Sequence, residues 1–228
     1  MLTAAQTQPR PREPKNNRAV QMARADCCRL LAACFYPPDA KLFAREGLTE
    51  KLGALLKIAC TGASPLVPPL QAHLKHENDK QLSVAYTRLF LGPPEVLAPP
   101  YASFYLDKGG TVMGPSSVAI ETLYNSAGLA LDNDFQDMPD HVVVMLEFLY
   151  YLIFREALAE DSNEFQQKEN LKNIRIHFLK NYIFTWIPEF CLKITEAEAH
   201  PFYTGLAQCL DTFIQCGFAT RGVDHADI

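Results

Sequence analysis

The chain has 228 residues, of which 48% are apolar and 21% charged, a balance that supports one large buried core and excludes disorder for most of its length. Its 26 acidic against 21 basic residues give a formal charge of −5, which argues against nucleic acid as the main partner, because phosphate binding needs a concentrated basic face. A cationic peptide suits this balance better.

Residues 1–18, with Pro9, Pro11 and Pro14 among several charges, lack the apolar run of a secretory signal and read as a disordered tail. Residues 19–228 are expected to form a single all-α domain, because apolar residues recur at helical spacing and no segment shows sustained alternation between turn signals. Roughly ten helices are predicted. Val20, Ala23, Cys27, Leu30, Leu31 and Cys34 form the first stripe, which Pro37-Pro38 ends. Leu42, Leu52, Leu55, Leu56 and Ala59 mark a second helix, broken near Gly47. Leu82, Ala85, Tyr86, Leu89 and Phe90 face inward on a third, with Gly92 as its left-handed cap.

From Gly92 to Gly114, prolines and the Gly109-Gly110 pair predict a loop of about twenty residues without regular structure, and loops that long are usually functional or disordered. Tyr101, Phe104 and Tyr105 argue for order, since aromatic rings have much apolar surface to bury. Pro115-Ser116-Ser117 opens a helix that Gly128 closes. A short acidic link then leads to a core helix predicted over 139–158. Its apolar stretch, Val142 to Phe154, contains Glu147 and spans thirteen residues, short of the ~20 needed to cross a bilayer. Asp161 with Glu164 has the capping pattern for another helix, with a stripe through Phe165, Leu171, Ile174, Phe178, Tyr182 and Trp186 that ends at Pro188. The last helix starts at Pro201 and ends near Gly217, with Tyr203, Leu206, Leu210, Phe213 and Ile214 inward.

Tests for chemistry return no catalytic residue, metal site or cofactor site. The acidic run Asp132 to Asp137 fails as a calcium loop, because its sixth position is Asp137 where the turn needs Gly and its twelfth is Val143 where a bidentate Glu is needed. No histidine has Glu three residues before it, as a di-iron bundle requires. HExxH, P-loop and dinucleotide-binding turns are missing, His73 and His76 read as solvated, and no nucleophile elbow surrounds Ser103. Seven cysteines without CxxC spacing suit neither a disulfide framework nor a zinc ribbon. They are expected to be buried, reduced thiols.

Three pieces carry a resemblance. A helix ends Tyr86-Thr87-Arg88-Leu89-Phe90-Leu91-Gly92; a loop reads Pro99-Pro100-Tyr101-Ala102-Ser103-Phe104-Tyr105; and Met138-Pro139-Asp140-His141 stands at the mouth of the apolar helix. In this order and spacing they resemble the TorD/DmsD/NarJ family of cytoplasmic chaperones that mature molybdenum-containing redox enzymes. The family often shows Glu-Pro-x-Asp-His, whereas here Asp137 keeps the acid and the proline has moved one place.

The resemblance implies a cytoplasmic binding protein rather than an enzyme. Its expected partners are the twin-arginine signal peptide and the apo catalytic subunit of a molybdopterin oxidoreductase, which it would assist through cofactor insertion before export. It also implies a monomer or a helix-swapped dimer, without stable membrane insertion. A nitrate-reductase-type assembly scaffold that reads no signal peptide, and a nucleotide-binding regulator, are the alternatives.

For Asp140-His141 the residues alone favour capping by Asp140 beside a neutral His141, because the amino end of a helix stabilises a carboxylate and disfavours an imidazolium. The resemblance instead places the pair at a peptide pocket mouth, with Tyr101, Ser103, Tyr105, Asp137, Asp140, His141 and Asp134 as candidate peptide-binding residues. An apolar groove with anions at one end would suit paired cations followed by an apolar stretch. Asp140→Asn is accordingly expected to weaken peptide binding more than the fold.

Overall fold

The structure is a computed structural model and describes residues 15–76, 79–93, 95–131, 137–162 and 164–218. These form the all-helical domain expected. In chain order the elements are α1 (Lys15–Cys34), α2 (Ala40–Glu46), α3 (Leu48–Ala59), α4 (Val67–His76), α5 (Asp79–Tyr86), α6 (Ala102–Leu106), α7 (Pro115–Ser126), α8 (Val142–Asp161), α9 (Phe165–Phe178), α10 (Phe184–Glu196) and α11 (Pro201–Phe218). Among the described residues no strand occurs, and the sole extended pairing is one antiparallel bridge between Tyr101 and His141. None of their helices is long and apolar enough to cross a membrane.

α8 is central because it is apolar almost all round. Val142, Val143, Met145, Leu146, Phe148, Leu149, Leu152 and Ile153 are all buried, as a helix enclosed by neighbours requires. It packs most extensively on α1 and α9. Against it α1 lays Cys27, Leu31 and Cys34, each at most 2% exposed. On its other flank Arg175 of α9 grips Glu156 with two hydrogen bonds, Nε to Oε1 at 2.5 Å and an η nitrogen to Oε2 at 3.0 Å. The bidentate geometry offsets the cost of enclosing both charges. A second layer of α3, α4, α10 and α11 carries Trp186, Phe190, Phe202, Tyr203 and Phe213 inside.

Two helices contain a π-helical stretch, Thr87–Leu91 after α5 and Leu179–Ile183 between α9 and α10. The first ends with Gly92 donating to the Thr87 carbonyl at 2.8 Å, at positive φ of 72°, a conformation glycine adopts without penalty. Gly47, at φ 60°, divides α2 from α3 as expected.

The structure corrects several boundaries. Helix α1 begins at Lys15, inside the stretch read as tail, and residues 1–14 lie outside the described residues. Phe43 is buried and Leu42 is not. The supposed structureless loop holds α6. Asp107 just after α6 accepts from Ser116 N at 3.1 Å and from Ser116 Oγ at 2.6 Å, so it caps α7 from a distance. A side chain at Gly114 would collide with it.

Helix α8 starts at Val142 and runs to Asp161, so Asp161 ends one helix instead of opening the next and pairs with Arg18 of α1. Glu164 stands at the start of α9 without a capping side-chain bond, and Phe165 is exposed. Pro188 lies inside α10 instead of ending the helix. Tertiary packing overrides it there, because Phe190, Cys191 and Ile194 beyond it are core residues.

Cys60, which caps α3, and Cys216, in the last turn of α11, are joined in a disulfide with Cα atoms 6.2 Å apart, a separation that suits the bond. The expectation of seven reduced thiols therefore fails at this pair. Spacing alone could not pair residues 156 apart. The other five cysteines are buried, and burial pushes the Cys34 and Cys209 thiols up to about 12, which leaves them unreactive.

Candidate functional site

The two motif segments meet at the Tyr101–His141 bridge. Ala102 N donates to the Asp140 carbonyl at 3.0 Å and Val142 N to the Pro100 carbonyl at 2.8 Å. Prolines at 99 and 100 favour the extended backbone that such a pairing needs. Above the bridge the rings of Tyr101 and His141 meet edge to face, 5.3 Å between centroids.

Asp140 lies beneath the bridge and is fully buried. Its carboxylate accepts from Ser103 N at 2.7 Å and from Ser117 Oγ at 2.6 Å, while Tyr124 donates to the neighbouring Pro139 carbonyl at 2.7 Å. One acidic side chain thus ties the starts of α6, α7 and α8 together. Asp140 does not stand at a pocket mouth, and it does not cap α8. His141 does: its Nδ1 accepts from Val143 N at 3.2 Å, so the ring is neutral with its proton on Nε2. Burial holds its pKa below the usual histidine value, against the opposing pull of Asp137 and then Asp140.

Asp137 is the accessible acid, its side chain 41% exposed. It accepts from Met138 N at 2.7 Å and from the Tyr101 hydroxyl, and it lies 3.8 Å from His141 Nε2. In front of it opens a cleft of about 210 Å³, lined by Phe35, Tyr36, Pro37, Tyr86, Leu91, Asp137, His141, Val143 and Val144. That volume accepts one side chain at a time. Its walls are apolar, its rim is acidic, and phenols face the acid. Tyr36 and Tyr86 are both pushed up to about 12, by burial first and by neighbouring carboxylates second.

Of the residues singled out from sequence, Tyr101, Asp137 and His141 come together at this cleft. Asp140 and Ser103 lie underneath, Ser103 fully buried with no partner for its hydroxyl among the described residues. Tyr105 points elsewhere, onto Trp186 at 5.5 Å and Phe190 at 6.2 Å, so it packs the second layer. Asp134 and the rest of 132–136 lie outside the described residues.

Sequence reasoning missed Tyr36, Tyr86 and Glu147. Tyr36 donates to Glu147 Oε1 at 3.1 Å. The available signal was Glu147 itself, the lone charge in the apolar run 142–154. A larger and shallower groove of about 460 Å³, between α5 and the start of α11, carries Lys80 and Arg88 and shares no lining residue with the motif cleft. Among the described residues no group of His, Cys, Asp and Glu could hold a metal ion.

The family model for the nitrate reductase delta subunit matches residues 59–192, which contain the bridge, Asp137 and α8. Chaperone protein TorD of Vibrio parahaemolyticus is 30% identical over 145 residues, 61% of this chain and 65% of that protein. The Tat proofreading chaperone DmsD of Salmonella typhi is 26% identical over 140 residues, 61% of this chain and 62% of that protein. The match thus spans a little under two thirds of these relatives' length. A crystal structure from Archaeoglobus fulgidus assigned as a redox enzyme maturation protein superposes with a TM-score of 0.50 at 26% identity, over 84% of this chain and 93% of that one. The chain belongs to the nitrate reductase delta subunit family, the group of TorD and DmsD that its motifs resemble.

Proposed function

We propose that this protein is a cytoplasmic maturation chaperone that binds the twin-arginine signal peptide and apo form of a molybdopterin-containing oxidoreductase, and keeps the subunit open for cofactor insertion before export. It acts by binding, and no bond of the client is made or broken. The observation that supports this reading is the cleft in front of Asp137, where an accessible carboxylate and phenols stand over apolar walls. A guanidinium matches such a site, because it hydrogen-bonds a carboxylate and stacks on aromatic rings. The relatives named above as chaperones support the same reading.

Isothermal titration of the full chain with a synthetic twin-arginine signal peptide tests it. Binding is expected, and Asp137→Asn should weaken it about ten- to hundredfold through loss of one charge-assisted contact. Equal affinity for a peptide with both arginines replaced by glutamine would overturn the reading. An assembly scaffold that reads no signal peptide is favoured by the nitrate reductase family match. On that reading the chain would capture an apo catalytic subunit equally well with and without its signal peptide.

A further inference from the structure

Glu147 stands at a place where an apolar helix has no structural use for a charge. It lies four residues after Val143 and three after Val144, both of which line the cleft, so it stands one helical turn beyond the wall, about 5–6 Å on. The residues on either side, Leu146 and Phe148, are core, and Glu147 faces outward. Tyr36, itself 47% exposed, turns its hydroxyl onto Glu147 at 3.1 Å while its ring lines the cleft. The phenol feels both Glu147 and Asp137. The two acids therefore flank one aromatic ring, Asp137 before α8 and Glu147 on it.

From this placement, and resting on the peptide-binding reading above, we infer that Glu147 is a second cation-binding point, held in position by Tyr36, and that it makes the cleft selective for two neighbouring cationic side chains over one. Asp137 takes one guanidinium in the cleft and Glu147 takes the other outside it. Tyr36 lies between them as a positioning residue. Its ring offers a face to either cation, and its hydroxyl fixes the Glu147 carboxylate, so less rotamer freedom remains to be lost when a cation arrives.

Four peptides that share one apolar stretch and carry Arg-Arg, Arg-Gln, Gln-Arg or Gln-Gln before it test this against the full chain. The wild type should bind Arg-Arg about tenfold or more tightly than either single-arginine peptide. Glu147→Gln should bring Arg-Arg down to the affinity of one single-arginine peptide while leaving that peptide's own affinity unchanged. Tyr36→Phe should narrow the same preference by a smaller factor. Because both side chains are exposed, urea midpoints should stay at the wild-type value. If Glu147→Gln binds Arg-Arg as tightly as wild type, or loses affinity equally for all four peptides including Gln-Gln, the inference fails while the peptide-binding reading stands. If the wild type binds none of the four, the peptide-binding reading fails and takes the inference with it.

Discussion

The floor beneath His141 and the cleft in front of it are built from the same short stretch of chain, yet the same residue type plays opposite parts in them. Asp140 is fully buried and spends both oxygens on protein donors, one from α6 and one from α7. Asp137, three positions earlier, keeps its side chain 41% exposed, with Tyr101 and its own neighbour's amide as partners. The first carboxylate has no face left for a ligand, and the second does. A motif read as one peptide-binding pair thus separates into a residue that builds the site and a residue that can use it.

The largest expected effect falls on the floor. Asp140→Ala leaves Ser103 N and Ser117 Oγ buried without an acceptor, and stability should fall by about 3 kcal/mol or more, read as the urea midpoint. Asp140→Asn should cost about 1–2 kcal/mol, because the serine hydroxyl can reverse its bond while the Ser103 amide cannot. If either variant kept the wild-type midpoint and lost only peptide affinity, the division between floor and cleft would collapse.

A pH series sharpens the comparison at the residue between them. Burial lowers the folded-state pKa of His141, so between that value and the ordinary one near 6.5 the unfolded chain binds more protons than the folded one. Stability from this group is complete above about pH 6.5 and is lost as pH falls through that value toward the folded pKa. His141→Gln should remove this part of the pH dependence, as urea midpoints at pH 7.5 and below 6 would show. An unchanged pH profile would mean that the ring is not held neutral.

The smallest effect is expected at the cleft wall. Tyr101→Phe removes the hydroxyl on Asp137 and keeps the ring on His141, so the urea midpoint should move by about 0.5 kcal/mol or less. Peptide affinity should move more than stability does. The reverse order would make Tyr101 part of the floor.

Much of this architecture was legible in the chain. Stripes such as Leu82-Ala85-Tyr86-Leu89-Phe90 name their own buried face, and Pro201 and Gly47 mark helix boundaries by backbone chemistry. The site was legible as a neighbourhood and not as an arrangement. Asp140 and Asp137 look alike in sequence because burial is set by α6 and α7, which reach Asp140 from 37 and 23 residues away. Tyr36 and Tyr86 were read as the end of one helix and the face of another, and only their packing against α8 brings them to one cleft. Pro188 misled for the complementary reason, since its local rule is sound and the core beyond it outweighs the rule.

The two π-helical stretches have a consequence for how this chain can tolerate change in length. Each adds a residue to a turn, and one residue of helix is about 100° of rotation. Deleting a single residue from Leu179–Ile183 would turn the whole of α10 by that angle, carrying Trp186, Phe190 and Ile194 off the core and Thr185 and Glu189 into it. The same deletion in Thr87–Leu91 would swing Gly92 and the chain beyond it away from the cleft. These ten positions act as phase shifters, so their number is constrained more tightly than their identities.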